Sequence, residues 1–291
     1  MKTLMLAAGA ALTLVAANAQ AAPLPPAAIY ADPPVDKAHP ARMEVLHIPS
    51  GGVEINGLAY LAGGAGPHPT VVLFHGLPGN EKNLDLAQAI RRAGWNVVTL
   101  NYRGSWGSPG AFSFTGDLED AKAALAYVRA AANAARLGVD TRRIVIMGHS
   151  MGGWVTAITG GSDPDVAGAV LISAADMGAS ADAPLPALVA MAKDNMETLA
   201  GVTPESLARQ IGGLGEHTFA AAAPGLARHP LLVLTSDDGL QAGADKLVMD
   251  IKRRGGPVAV VHIATDHGYS TARIRLESEI ITWLARLNPA S

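Results

Sequence analysis

One serine has glycines two residues before it and two residues after it, at Gly148, Ser150 and Gly152. A predicted strand, residues 143–147, which is apolar from Ile144 onwards, precedes this motif, and a run typical of a helix, residues 151–160, follows it. A serine on a sharp strand-to-helix turn exposes its hydroxyl, and the flanking positions must be glycine because side chains there would collide with the neighbouring strand and helix. The pattern predicts that Ser150 is a nucleophile; the alternative is an ordinary glycine-rich loop.

A serine hydroxyl is nearly inert near neutral pH, so it needs a nearby base. Among the nine histidines, His267 is the best placed, because its loop follows the last predicted strand at the edge where parallel sheets build their sites. The alternative for His267 is a solvated loop histidine. His149 is a poor base, because side chains at neighbouring positions of a turn point apart. His262 lies inside a predicted strand, and we expect it to be packed there.

The base needs an acid to orient it, and two carboxylates follow the predicted strand 231–235. We favour Asp238, because one more residue of loop lets it reach towards His267. Asp237 is the second choice, and Asp176, after an earlier strand, is the third.

Acyl transfer also needs two N–H donors for the oxyanion, and loss of one such donor typically costs about 3 kcal/mol. The N–H of Met151 is one candidate, because it begins a helix and gains from the helix dipole. The second candidate is the N–H of Leu77, in the loop after strand 70–74, where Gly76 lets the backbone come close.

Eight strands are predicted to position these residues. Two of them form an opening hairpin, and the others alternate with helices, which favours right-handed crossovers and a mostly parallel sheet. The predicted strands are residues 43–49, 54–61, 70–74, 96–100, 143–147, 166–173, 231–235 and 258–263.

Helices are predicted between these strands, and one long segment interrupts the alternation. The predicted helices are residues 84–93, 117–136, 151–160, 242–254 and 271–287. Residues 174–229 read as two or three short helices broken by Pro184, Pro186, Pro204 and Pro224. This insertion would lie over the C-terminal edge of the sheet, either as a lid or as ordinary surface helices.

The composition limits the possible functions. Hydrophobic residues make up 49% and charged residues 16%, which fits a sheet buried on both faces. The net charge of -3, without a basic run, argues against nucleic acid as a partner. The chain has no cysteine, which excludes disulfides, a thiolate nucleophile and a cysteine metal site. No cofactor or metal is implied.

The first residues are typical of a secretory signal peptide. A positive start is followed by an apolar run, residues 4–17, and by the Ala-x-Ala signal that ends at Ala19. The run is shorter than the roughly 20 residues of a spanning helix, so we expect no membrane anchor. Cleavage is predicted after Ala19, or after Ala21 or Ala22, which would leave a periplasmic or secreted protein. Residues 20–42 form a Pro/Ala-rich arm that we expect to be extended and poorly ordered.

The order serine, acid, histidine at Ser150, Asp238 and His267 resembles the α/β-hydrolase superfamily over roughly residues 43–287. The resemblance implies an α/β-hydrolase fold, with a mostly parallel eight-stranded sheet, helices on both faces and a small helical insertion. Residues 74–79 and 101–105 are similar to the dipeptidyl aminopeptidase and acylaminoacyl-peptidase branch. That branch commonly has a second glycine where this sequence has Leu77, and the large peptidases also carry an N-terminal propeller that this sequence does not show.

These departures favour an esterase over a peptidase. We therefore expect residues 43–291 to form one domain of a secreted serine hydrolase that cleaves carboxylic esters through an acyl-enzyme on Ser150. The substrate would be a small-molecule ester or amide. A serine peptidase or amidase is the alternative enzyme, and a non-catalytic binding protein with this fold is the alternative from another class. The sequence does not indicate an oligomeric state.

Overall fold

A computed structural model describes residues 24–287, and its centre is an eight-stranded sheet in the order β1-β2-β4-β3-β5-β6-β7-β8. β1 pairs with β2, and β2 with β4, antiparallel, whereas all later pairs are parallel. The strands are β1 (Arg42–Ser50), β2 (Val53–Leu61), β3 (His68–Phe74), β4 (Asn96–Leu100), β5 (Val139–His149), β6 (Gly168–Ile172), β7 (Leu231–Thr235) and β8 (Val258–His262). The predicted sheet is thereby confirmed.

Helices cover both faces of the sheet. They are α1 (Leu84–Arg92), α2 (Phe114–Arg129), α3 (Ala131–Leu137), α4 (Met151–Ser162), α5 (Leu185–Lys193), α6 (Pro204–Gly212), α7 (Phe219–Leu226), α8 (Gln241–Arg253) and α9 (Arg273–Leu287). Successive strand residues point to opposite faces, so Val71 and Leu73 join a core with α1 and α9, while Val72 and Phe74 join a core with α2, α4 and the insertion.

The helix predicted over residues 117–136 is two helices in the structure. Ala130 has an extended ψ of 127°, which ends α2 and begins α3. The side-chain amide of Asn133 donates to Tyr127 O at 3.0 Å and so satisfies a carbonyl near the end of α2. No proline or glycine marks this break, which is why the sequence pattern missed it.

The segment between β6 and β7 contains a short 3₁₀ helix, Gly178–Ser180, followed by α5, α6 and α7. Pro184 and Pro204 stand at helix starts, where a missing N–H costs little. Pro224 lies inside α7, so the prediction that it breaks a helix was wrong.

The arm before β1 differs from the expected extended conformation. Ala27–Ile29 forms a 3₁₀ helix, and Arg92 donates to Ala28 O at 2.5 Å and to Ile29 O at 3.2 Å. Ala28 and Ile29 also pack against the core beside α1 and α9. The predicted signal peptide, residues 1–19, and its cleavage points lie outside the described residues. Between residues 24 and 287, no helix has both the length and the apolar character needed to cross a membrane.

Candidate active site

Ser150 lies on the sharp turn between β5 and α4. Its backbone has φ 58° and ψ −122°, a conformation that costs a non-glycine residue about 1–3 kcal/mol. A Cβ on Gly148 would lie 2.0 Å from Gly152 O, and a Cβ on Gly152 would lie 2.3 Å from Phe74 O. Both glycines are therefore required by packing, and the motif forms the strained turn that the sequence predicts.

The loop after β3 lies directly against this turn. A Cβ on Gly76 would be 2.9 Å from Ser150 Cβ and 3.4 Å from Ser150 Oγ, so only glycine lets the backbone come this close. Leu77 is the next residue of the loop. Met151 is the first residue of α4, and the first N–H groups of a helix have no acceptor within it. The two predicted donor residues thus flank the serine from separate elements.

His75 braces the same loop from inside the protein. Its Nδ1–H donates to Gly76 O at 2.7 Å, and the Tyr102 hydroxyl donates to His75 O at 3.3 Å. Burial lowers the pKa of His75 to about 4, so the ring is neutral near pH 7. This bracing contact of His75 was not predicted from the sequence.

His267 and Asp238 form a close pair beyond the ends of β7 and β8. A carboxylate can only accept, so His267 Nδ1 carries the proton and donates to Asp238 Oδ2 at 2.7 Å, which leaves Nε2 free as a base. The N–H of Leu240 donates to Asp238 Oδ1 at 2.9 Å. Burial acts to raise the pKa of Asp238, but hydrogen bonds from His267, from Leu240 and from the pair Ser173 and Ser236 outweigh it and lower that pKa. Asp238 is therefore an anion near neutral pH.

His149 links the serine turn to the His267 loop. Its Nε2–H donates to His267 O at 2.8 Å, and the two ring centroids are 4.6 Å apart. Burial lowers the pKa of His149 to about 4, so the side chain acts as a neutral donor. This contact places the His267 loop beside the turn that carries Ser150. The sequence rejected His149 as a base but did not foresee this supporting contact.

The two alternative acids are engaged elsewhere. Asp237 Oδ1 lies 3.2 Å from His262 Nε2, in a pair whose side chains are 62% and 40% exposed. The expectation that His262 is packed inside its strand was therefore wrong. Asp176 accepts the N–H groups of Ala179 at 3.2 Å and Phe219 at 3.0 Å, within the insertion. The structure brings Asp238, and neither alternative, to His267.

The insertion is joined to the loop that carries Leu77. The carbonyl of Pro78 accepts Trp106 Nε1–H at 2.7 Å and the Thr198 hydroxyl at 2.9 Å. The Trp106 N–H donates to Thr198 O at 3.1 Å, and the Ala200 N–H donates to Gly104 O at 2.7 Å. These hydrogen bonds join the insertion to two loops, the Leu77 loop after β3 and the loop after β4 that contains Trp106.

Three buried hydroxyls also lie behind Asp238, from Ser173, Ser236 and Tyr269. These residues were not predicted from the sequence. Ser173 and Ser236 directly follow β6 and β7, and a polar side chain at the end of a strand is the signal that could have found them. Among residues 24–287, no group of three or more His, Asp or Glu residues is arranged to hold a metal ion.

Comparison with known proteins supports the superfamily. A family model described as BD-FAE matches residues 60–168. The α/β-hydrolase domain-containing protein WAV2 of Arabidopsis thaliana is 35% identical over 106 residues, which are 36% of this chain and 33% of that protein. The match thus spans about a third of the length of that relative.

Solved structures of two enzymes resemble nearly the whole chain. EstE1, a thermophilic carboxylesterase from a metagenomic library, has a TM-score of 0.63 and 25% identity, covering 86% of this chain and 89% of its own. An acylaminoacyl peptidase from Pyrococcus horikoshii has a TM-score of 0.63 and 17% identity, covering 84% of this chain and 42% of its own. The chain therefore has the α/β-hydrolase fold, and the family model and the relative from Arabidopsis thaliana are similar to part of it.

Proposed function

We propose that this protein is a serine hydrolase that cleaves small-molecule carboxylic esters through an acyl-enzyme on Ser150. The observation that carries the proposal is that two loops meet at one strained serine turn. Gly76 lies so close to Ser150 that a Cβ built on it would be 3.4 Å from Ser150 Oγ, and the His267 loop is bonded to His149 beside the serine. The 2.7 Å bond between His267 and Asp238 supplies an oriented base beside that turn.

Each residue has one part in the reaction. Ser150 Oγ attacks the ester carbonyl while His267 Nε2 takes its proton, and the N–H groups of Leu77 and Met151 stabilise the oxyanion. His267 returns the proton to the leaving alcohol, and Asp238 stabilises the imidazolium in between. Water then attacks the acyl-enzyme by the same proton transfers, releasing the acid and regenerating Ser150. These steps need no cofactor or metal.

The likeness to a carboxylesterase at 25% identity favours esters. Amide cleavage is the second candidate, because the acylaminoacyl peptidase from Pyrococcus horikoshii has the same fold. Rates on p-nitrophenyl acetate and butyrate, compared with rates on aminoacyl-nitroanilides, distinguish the two. Faster turnover of the nitroanilides would reverse the choice.

The nucleophile is tested by Ser150→Ala, with Ser162→Ala at the other end of α4 as the matched control. We expect Ser150→Ala to fold normally, to lose turnover of p-nitrophenyl butyrate and to lose labelling by a fluorophosphonate. Ser162→Ala should keep both. Unchanged turnover in Ser150→Ala would refute the assignment, and failure of the native protein to react with the label would favour a non-catalytic binding protein.

Export and the insertion are two further parts of the proposal. Removal of residues 1–19 or a few more would give a periplasmic or secreted protein, and the mature chain would begin at Gln20, Ala22 or Pro23 when sequenced. A mature chain that keeps residues 1–19 would contradict export.

We also propose that residues 174–229 set the acyl-chain preference, because they are tied to the Leu77 loop through Pro78. A panel of esters of increasing chain length measures that preference.

A further inference from the structure

The three hydroxyls behind Asp238 form one continuous cluster. Ser173 Oγ lies 2.8 Å from Ser236 Oγ and 3.0 Å from the Tyr269 hydroxyl. All three residues are 2% exposed or less. Ser173 follows β6, Ser236 follows β7, and Tyr269 lies two residues after His267. The cluster therefore joins two strand ends to the loop of the proposed base.

The protons of this cluster have a defined direction. An ionised carboxylate has no proton to donate, so hydroxyls that contact it must point their protons towards it. Each serine hydroxyl has one proton, so one of Ser173 and Ser236 donates to the other across their 2.8 Å contact, and the other donates to Asp238 and helps to lower its pKa. Burial raises the pKa of Tyr269 to about 12, so its hydroxyl keeps its proton and can donate to Ser173. Tyr269 is thus the outer donor of a chain that ends on Asp238.

The backbone around this cluster is strained. Ser173 has φ 41° and Tyr269 has φ 57°, values that L side chains rarely adopt. Residues 24–287 contain five non-glycine residues with positive φ, and the other three are Asn83, Trp106 and Ser150. Such strain persists where the surroundings hold it and often marks functional sites.

Trp106 and Asn83 are also connected to the site by hydrogen bonds. Trp106 donates to Pro78 O in the Leu77 loop. Asn83 Oδ1 accepts from Arg273 Nη2 at 3.0 Å, and Arg273 Nη1 donates to Gly268 O at 3.1 Å, directly after His267. Every non-glycine residue with positive φ between residues 24 and 287 is thus part of the site, in contact with it, or linked to it through one side chain.

We propose that Tyr269 is a positioning residue, whose hydroxyl ties the His267 loop to the two serines that hold Asp238 and keeps the acid and the base aligned during proton transfer. This inference rests on the proposed function, since it concerns the same acid and base. The competing interpretation is that Tyr269 only fills the core.

The variant Tyr269→Phe separates these interpretations, because it keeps the buried ring and removes only the hydroxyl. We expect kcat for p-nitrophenyl butyrate to fall about tenfold with KM within about twofold of the native value. We also expect the acidic limb of the kcat/KM profile to move to higher pH, because a carboxylate with fewer donors holds the imidazolium more strongly. The other titratable groups around His267, which are His149, Asp266 and Arg273, are unchanged in this variant.

Two further variants complete the test. Tyr127→Phe is the matched control, because it removes a tyrosine hydroxyl that contacts Arg136 on the outer surface, and its kinetics should be native. Ser173→Ala should resemble Tyr269→Phe, and the double variant should be little worse than either single variant, because both break one chain. Native kcat and an unmoved acidic limb in Tyr269→Phe, with only a lower Tm, would overturn the proposal.

A measurement without turnover keeps this inference separate from the proposed function. The proton of His267 Nδ1, bonded to Asp238, should give a downfield proton NMR signal in the native protein, assigned by its loss in Asp238→Asn. We expect the signal to broaden or move upfield in Tyr269→Phe and to stay in Tyr127→Phe. If the native protein neither turns over esters nor reacts with fluorophosphonate, the proposed function fails, and this signal alone decides whether Tyr269 positions the pair. An unchanged signal in Tyr269→Phe would overturn the positioning role.

Discussion

Two neighbouring carboxylates each face a histidine, yet they build very different sites. Asp238 lies 2.7 Å from His267, and its side chain is 4% exposed. Asp237 lies 3.2 Å from His262, and these side chains are 62% and 40% exposed. An aspartate and a histidine therefore form a partly buried pair in one case and a surface pair in the other, although the two aspartates are adjacent on one turn.

The difference lies in what stands behind each carboxylate. Asp238 receives the N–H of Leu240 and a hydroxyl of the hydrogen-bonded pair Ser173 and Ser236, and these bonds hold it as an anion in one orientation. Asp237 and His262 are exposed to solvent, where such a contact contributes little and is easily replaced by water. Proximity of an acid and a histidine is therefore not sufficient, and the buried donors around Asp238 are what favour a catalytic role.

The largest expected contrast is between Asp238→Asn and Asp237→Asn. An asparagine at 238 can offer its own N–H to His267 Nδ1 and so favours the wrong tautomer, and we expect kcat to fall about 10³- to 10⁴-fold. Asp237→Asn removes the same charge from the neighbouring position and should stay within about twofold of native activity. The measurement is kcat/KM for p-nitrophenyl butyrate. A larger loss in Asp237→Asn than in Asp238→Asn would make Asp237 the acid.

His267 also differs from His262 in having a supporting histidine, because His149 donates to the His267 carbonyl. We expect His149→Phe, which keeps a ring but no donor, to lower kcat about tenfold with KM nearly unchanged. His149→Gln keeps an N–H near the same place and should recover part of that loss. His262→Phe is the control and should keep native kcat. Equal losses in His149→Phe and His149→Gln would mean that the ring, and not the donor, is what matters.

The sequence predicted the sheet well, because buried parallel strands are short apolar runs separated by turns. It also predicted that Ser150 lies on a strained turn, since the glycines at 148 and 152 are the residues that such a turn needs, and a side chain at either position would clash with neighbouring backbone. The break at Ala130 was missed, because an amide from Asn133 supports it and no proline or glycine signals it.

The supporting contacts of the site could not be predicted from local patterns. Ser173 and Tyr269 are 96 residues apart, and His149 and His267 are 118 residues apart. The choice between Asp237 and Asp238 depended on which way each side chain leaves the turn, and both positions follow the same strand. Only packing fixes that direction, so the sequence left both acids open.

The stability of the protein at low pH tests the anionic state of Asp238. Its pKa is lowered in the folded protein, so it contributes stability above its unfolded pKa of about 4, and this contribution is lost as the pH falls through the lower folded value. The difference in the free energy of unfolding between the native protein and Asp238→Asn should therefore shrink as the pH falls below about 4. Urea unfolding between neutral pH and about pH 3 measures this difference, with Asp237→Asn as the control for loss of one charge. A difference that stays constant would contradict the lowered pKa.

The smallest expected effect is at the surface pair, where His262→Gln should change kcat by less than twofold and the free energy of unfolding by less than about 0.5 kcal/mol. His262 Nδ1 lies 3.0 Å from Thr235 Oγ1 at the end of β7, but the turn after it is also held by the Asp237 N–H, which donates to Thr265 O at 2.9 Å, and by the Leu240 N–H, which donates to Asp238. Urea unfolding and ester kinetics measure both quantities. If His262→Gln lowered kcat tenfold, the surface pair would be shaping the turn that presents Asp238, and the two pairs would have to be treated as one unit.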